Sequence, residues 1–311
     1  MNLRTAFLLV NSLLMLFPCK SSSASGYNAV ISCEDGFLAA GAQGRIDWIS
    51  TSGYITKSER FPPVAFNSLL SFGQTVFVAG DSGVILVSTN KSAFRKVESG
   101  TKKNILSLAL FHERILAGSE QGELLIGDEK GLFRSIQLNL KGNIVSLSVR
   151  TSDCYGATDQ GEIIHTTDGV NWTVFDFNEY YSGYYKPCRF TKILAMDHQI
   201  AVAGKQDDGS PVLMFSTQGT IWSERTLSYT DDEGLLSSLT EIPNDLFYDV
   251  SEDQLILVSN KGKMMKIPSC SHCNKFMELS TEDLRGVNGN GNTWMVVGSH
   301  FFIKAMDANS L

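Results

Sequence analysis

The chain has 311 residues, 43% hydrophobic and 19% charged, which supplies a large core and excludes disorder by composition. Its formal charge is −7, from 26 basic and 33 acidic side chains, with no Lys/Arg-rich block to track a phosphate backbone, so nucleic acid is not an expected partner. Acidity of this size keeps a protein soluble and specifies no ligand.

The N-terminus reads as an export signal: Arg4, an apolar run from Ala6 to Phe17 broken at Asn11 and Ser12, then Pro18-Cys19 and serines. The run is shorter than the ~20 residues a spanning helix needs, and no second candidate follows, so no membrane span is expected. Two processing routes are open. Cleavage after Ala24 makes residues 1–24 a signal peptide. Alternatively Leu16-Phe17-Pro18-Cys19 resembles a bacterial lipoprotein box, making 1–18 the signal and Cys19 a lipid anchor, although Phe17 and Pro18 suit that box poorly. Either way the protein is expected to be exported: periplasmic, at the cell surface or secreted.

From about Tyr27 a unit recurs: an apolar stretch ending in Ala-Gly, two or three polar residues, Gly, and a second apolar stretch. Four copies close on Gly44, Gly83, Gly122 and Gly161, each 39 residues apart, and weaker ones follow at Ile200, Leu255 and Thr293. Short runs of Val, Ile, Leu and Phe bounded by turn residues are strands, and no long stretch has helical periodicity. Four strands per repeat, repeated radially, make a blade. The expected fold is therefore all-β, a single seven-bladed β-propeller over residues 27–311 with four strands per blade, A to D from the axis outward. The last unit reaches Leu311 before a strand D, so blade 7 is expected to have three strands unless Lys20 to Tyr27 closes it.

The C–D turn His165-Thr166-Thr167-Asp168-Gly169-Val170-Asn171-Trp172 resembles an Asp-box, or BNR repeat, with a degraded copy at Phe215 to Trp222 and a fainter one at Ser88 to Phe94. With the Ala-Gly turns, the pattern is similar to propellers of the photosystem II assembly-factor type and, more distantly, of the sialidase superfamily. That resemblance implies structural roles for Thr166, Asp168, Gly169 and Trp172, with Asp168 capping the turn and Trp172 packing between sheets. A sialidase arginine cluster cannot be placed, since Arg45, Arg60 and Arg189 fall at unrelated repeat positions.

The irregularities lie in blades 4 to 6. Insertions of 8 and 12 residues interrupt two consecutive D–A connections, and the B–C turn of blade 5 has an extra residue at Lys205 to Gly209. All three are expected on one rim, where loops on a rigid scaffold carry function. The first insertion brings Tyr180, Tyr181, Tyr184 and Tyr185, followed by Arg189; rings with polar tips suit a sugar or peptide, or pack the loop down. The second brings Asp231 and Asp232, which with Asp207 and Asp208 form an acidic rim suited to a cation or basic partner, or to solvent. No catalytic residue, metal site or cofactor is expected: the histidines assemble with no nucleophile. Cys270 and Cys273 are read as a local disulfide or buried thiols, and Cys154 and Cys188 as too far apart to bond. Two functions follow: a non-enzymatic scaffold holding a peptide, protein or glycan on the rim of blades 4 to 6, or a carbohydrate-active hydrolase of the Asp-box type.

Overall fold

The structure is a computed structural model that describes residues 25–308 apart from Ser92, Glu129, Asp232 and 270–273. It is a seven-bladed β-propeller. Six blades are four-stranded antiparallel meanders, and blade 7 has three strands. Strands A are Tyr27–Cys33, Phe66–Phe72, Ile105–Phe111, Ile144–Arg150, Cys188–Ala195, Pro243–Asp249 and Leu284–Asn290. They neighbour one another in that order, and the last returns to the first.

The composition of each strand follows from its place in the blade. Strand B is sandwiched between neighbouring blades on both faces, so Gly36–Gly41 and Gln254–Ser259 are buried throughout. Strand D is outermost; Ile55–Arg60 is mostly exposed. Because strand side chains alternate, one strand B serves two interfaces. Phe37 and Ala39 pack with Met295 and Val297 of blade 7, whereas Leu38 and Ala40 pack with Val76 and Val78 of blade 2. Seven such apolar clusters fill the seven junctions.

The recurrent B–C glycines have two causes. Gly44, Gly83 and Gly122 have φ of 63°, 71° and 68°, a left-handed backbone that favours glycine. In addition, a Cβ on Gly83 would lie 2.1 Å from the carbonyl oxygen of Thr101, because the next D–A connection crosses directly over the turn.

Around the axis, one residue of each strand A is bulged out of the ladder: Asn28, Asn67, Leu106, Val145, Thr191, Asn244 and Arg285. Where that residue is polar it bonds to the next blade. Asn28 donates to the Phe66 carbonyl (2.9 Å), Asn67 to Ile105 (3.1 Å), Thr191 to Pro243 (2.7 Å) and Asn244 to Leu284 (2.7 Å). In blades 3 and 4, where it is Leu106 or Val145, the following serines act instead: Ser107 donates to Ile144 and Ser146 to Ile193, each at 3.3 Å. Blade 7 is tied to blade 1 by Arg285 to Asn28 (3.1 Å), by the Ser32 amide to Asn288 (3.0 Å) and by the His300 amide to the Ser25 carbonyl (2.5 Å). Gly26 bridges Ser299 at the same seam. Ser25 and Gly26 thus occupy the connection leading into blade 1 and form no strand D of blade 7. The residues assigned to the signal peptide, the lipoprotein alternative and Cys19 lie outside the described residues, as do Cys270 and Cys273.

Strand A of blade 5 begins at Cys188, three residues before its bulged Thr191, whereas the other strands A begin one residue before theirs. The extra residue in the B–C turn extends strand B to Gln206, and Cys188 pairs with it. Asn178 holds the new strand start, accepting from the Cys188 amide (2.7 Å) and donating to its carbonyl (3.0 Å). Cys188 and Cys154 sit at opposite ends of their blades as free thiols, and burial pushes both up to about 12. No helix of the described residues is long and apolar enough to cross a membrane.

Candidate functional site on blades 5 and 6

The four tyrosines of the first insertion divide by direction. A helical turn at Phe177–Tyr180, capped by the Asp176 side chain, buries Phe177 between blades 4 and 5. Tyr181 and Tyr185 pack on Phe177, with ring centroids 4.7 and 5.8 Å away. Their hydroxyls reach the outermost strand of blade 5, only two residues long at Ser223–Glu224. The Tyr181 hydroxyl accepts from the Trp222 amide (2.9 Å), and the Tyr185 hydroxyl takes a hydrogen bond from the Glu224 backbone. These rings therefore cap a sheet edge that would otherwise present bare N–H groups. Tyr180 and Tyr184 face outward, 64% and 84% exposed.

The acids are engaged locally. Arg189 pairs with Asp207 (3.2 Å) and Lys186 with Asp208 (2.6 Å), which joins the first insertion to the enlarged B–C turn on one rim. The Lys186 bond, with the Ser210 amide, holds the Asp208 carboxyl well below the usual carboxylate range. Asp231 accepts from the amides of Glu233 (3.1 Å) and Leu235 (2.8 Å), so it shapes its own turn. Asp232 lies outside the described residues. No group of three or more His, Cys, Asp or Glu side chains is placed to hold a metal ion among the described residues.

The second insertion is a hairpin, Ser228–Thr230 with Leu236–Ser238. It leaves the rim and docks on the outer strand of blade 6: Tyr229 stacks on Phe276 with centroids 4.0 Å apart, and Asn274 donates to the Ser228 carbonyl (2.8 Å). Its tip carries Leu235 and Leu236 into solvent.

Between the short strand D of blade 5 and this hairpin, Arg225 to Ser228 form a strap across the groove between the two blades. A depression of about 560 Å³ lies on one side, walled by Phe215, Tyr248, Ile267 and Pro268. A second, of about 550 Å³, lies on the other, bounded by Pro211 and Ser238 to Thr240. Both share Glu224, Arg225 and Thr226. The strap and its flanking depressions were not legible from residue types; the shortness of strand D, which creates them, has no compositional mark.

The C–D turn of blade 4 is closed by its own side chains. Asp168 accepts from the amides of Val170 and Asn171, each at 2.8 Å, while Thr166 accepts from Asp168 and Gly169. Trp172 is half-buried against the cluster between blades 3 and 4. In blade 5, Ser216 takes the role of Thr166, accepting from Gly219 (2.8 Å), and Trp222 is buried.

No family model matches the chain, and no curated protein matches it. Solved structures do. The chain is similar to the crystal structure of the WD40 β-propeller domain of Doa1, with a TM-score of 0.69 and 10% identity, covering 92% of this chain and 94% of that one. It is also similar to the computationally designed Ika8 protein, at TM-score 0.62 and 11% identity, covering 91% and 96%. Identities this low establish the propeller fold alone.

Proposed function

We propose that this chain is an exported, non-enzymatic binding scaffold that holds a protein or extended peptide against the flank of blades 5 and 6. The observation that carries the reading is the asymmetry of the ring: among the described residues blade 5 alone has a two-residue strand D, and the chain so released builds a strap with a depression on either side. Exposed Ile221, Leu235 and Leu236 border this flank, with Tyr180 and Tyr184 beside it, and apolar and aromatic anchors next to a groove suit a peptide. Export rests on the N-terminal apolar run. The propeller fold, which carries a protein-binding role in many settings, is consistent with a scaffold and specifies no partner.

A second reading, glycan binding, draws on the exposed rings of Tyr180 and Tyr184, whose faces suit stacking on sugars. The hydrolase alternative is disfavoured because Asp207, Asp208 and Asp231 are each committed to a local cation or turn. Screening the chain from Ser25 onward on peptide and glycan arrays separates these readings. The scaffold reading expects peptide hits lost in Leu236→Ser and kept in Tyr184→Ala. Glycan hits lost in Tyr184→Ala would replace it with the second reading.

A further inference from the structure

We propose that the central channel binds a small carboxylate anion, held by the Arg285 guanidinium at the end of the channel that carries the D–A connections. The cavity of about 300 Å³ is lined by all seven strands A, and its only ionisable lining residues are Lys192, Asp245 and Arg285. Lys192 and Asp245 form an ion pair at 2.7 Å, and Asp245 also accepts from the Val287 amide (2.9 Å). These two charges cancel. Arg285 makes one hydrogen bond, from Nη1 to the neutral amide oxygen of Asn28 (3.1 Å), and no carboxylate of the described residues pairs with it.

The channel wall therefore carries one positive charge that no described carboxylate contacts, inside a protein whose net charge is −7. A guanidinium has five N–H donors in a planar fork, of which this contact uses one. Burial lowers the Arg285 pKa, opposed by the charge of Asp283, the direction expected of a desolvated cation with no carboxylate in contact. The channel is closed to nucleic acid and folded protein by its size. A carboxylate matches the fork in two parallel hydrogen bonds, which a spherical anion does not, and so completes what the fold leaves open. This site is separate from the flank of blades 5 and 6, and its success or failure leaves that reading untouched.

The test is titration of the folded chain with sodium acetate, sodium glutarate and sodium bromide at constant ionic strength, followed at the Arg285 Nε–H by NMR. The expected result is a saturable shift with the carboxylates and a weaker one with bromide, which cannot take two parallel hydrogen bonds. Arg285→Lys, which keeps the charge and loses the fork, is expected to weaken carboxylate binding about tenfold. Asn28→Asp supplies an internal carboxylate to the same guanidinium and is expected to abolish binding in a protein that still melts cooperatively. No saturable shift in the wild-type chain, unchanged binding in Arg285→Lys, or bromide binding as tight as acetate would each overturn the proposal.

Discussion

Asp168 accepts four hydrogen bonds, from the backbone amides of Val170 and Asn171, the Asn171 side chain and the Thr166 hydroxyl. These donors, the backbone amides first, hold its carboxyl far below the ordinary carboxylate value. A depressed folded-state pKa contributes stability above the unfolded-state pKa of ~3.9 and loses it as pH falls below that value. Asp168→Asn is therefore expected to lower Tm at pH 7, with the deficit shrinking in melts taken near pH 3. Two tryptophans at matching positions give a sharper contrast. Trp222 donates its Nε1–H to the Gly219 carbonyl (3.1 Å), whereas the buried Nε1 of Trp172 has no partner among the described residues. Both changes to Phe remove similar volume, but only one removes a hydrogen bond. Trp222→Phe should cost about 1 kcal/mol more than Trp172→Phe in denaturant unfolding; equal costs would contradict the assigned indole bond.

At the scale of elements, the tyrosine insertion shows why a loop rich in rings need not be a binding shelf. The shortened strand D of blade 5 leaves outward N–H groups, and two hydroxyls meet them at Trp222 and Glu224. Tyr181→Phe with Tyr185→Phe should accelerate amide hydrogen exchange at Trp222 and Glu224. Exchange at Arg225, whose amide bonds inward to the Leu213 carbonyl (2.8 Å), should be unchanged. Blade 7 has a different open edge. The Gly298 amide bonds to Phe302 and the Ala308 amide to Asn292, so in the intervening strand C, Ile303 and Ala305 turn their backbone outward. No described strand covers them.

For the whole molecule, the fold was legible because a propeller repeats its constraints. The glycines 39 residues apart announce a turn that must be left-handed and closely overlaid, and the apolar centres of the strands B announce burial on both faces. Insertion positions were legible for the same reason. What the insertions do was not, since pairing of Lys186 with Asp208, inward packing of Tyr181 and docking of Tyr229 on Phe276 depend on chain direction rather than on residue type. The bulged residues around the axis stood between these cases: Asn28 and Asn67 share one repeat position, 39 residues apart, and that recurrence was a readable signal for a residue that ties neighbouring blades.

The functional claim is that partners meet this ring at blades 5 and 6 and not at equally exposed apolar positions elsewhere. A photo-crosslinking amino acid placed at Ile221, Leu236, Tyr54 or Leu132, all at least 74% exposed except Leu132 at 72%, tests it in cells making the full chain. One shared adduct is expected from Ile221 and Leu236, with none from Tyr54 in blade 1 or Leu132 in blade 3. The same adduct at equal yield from all four positions, or adducts confined to Tyr54 and Leu132, would contradict it.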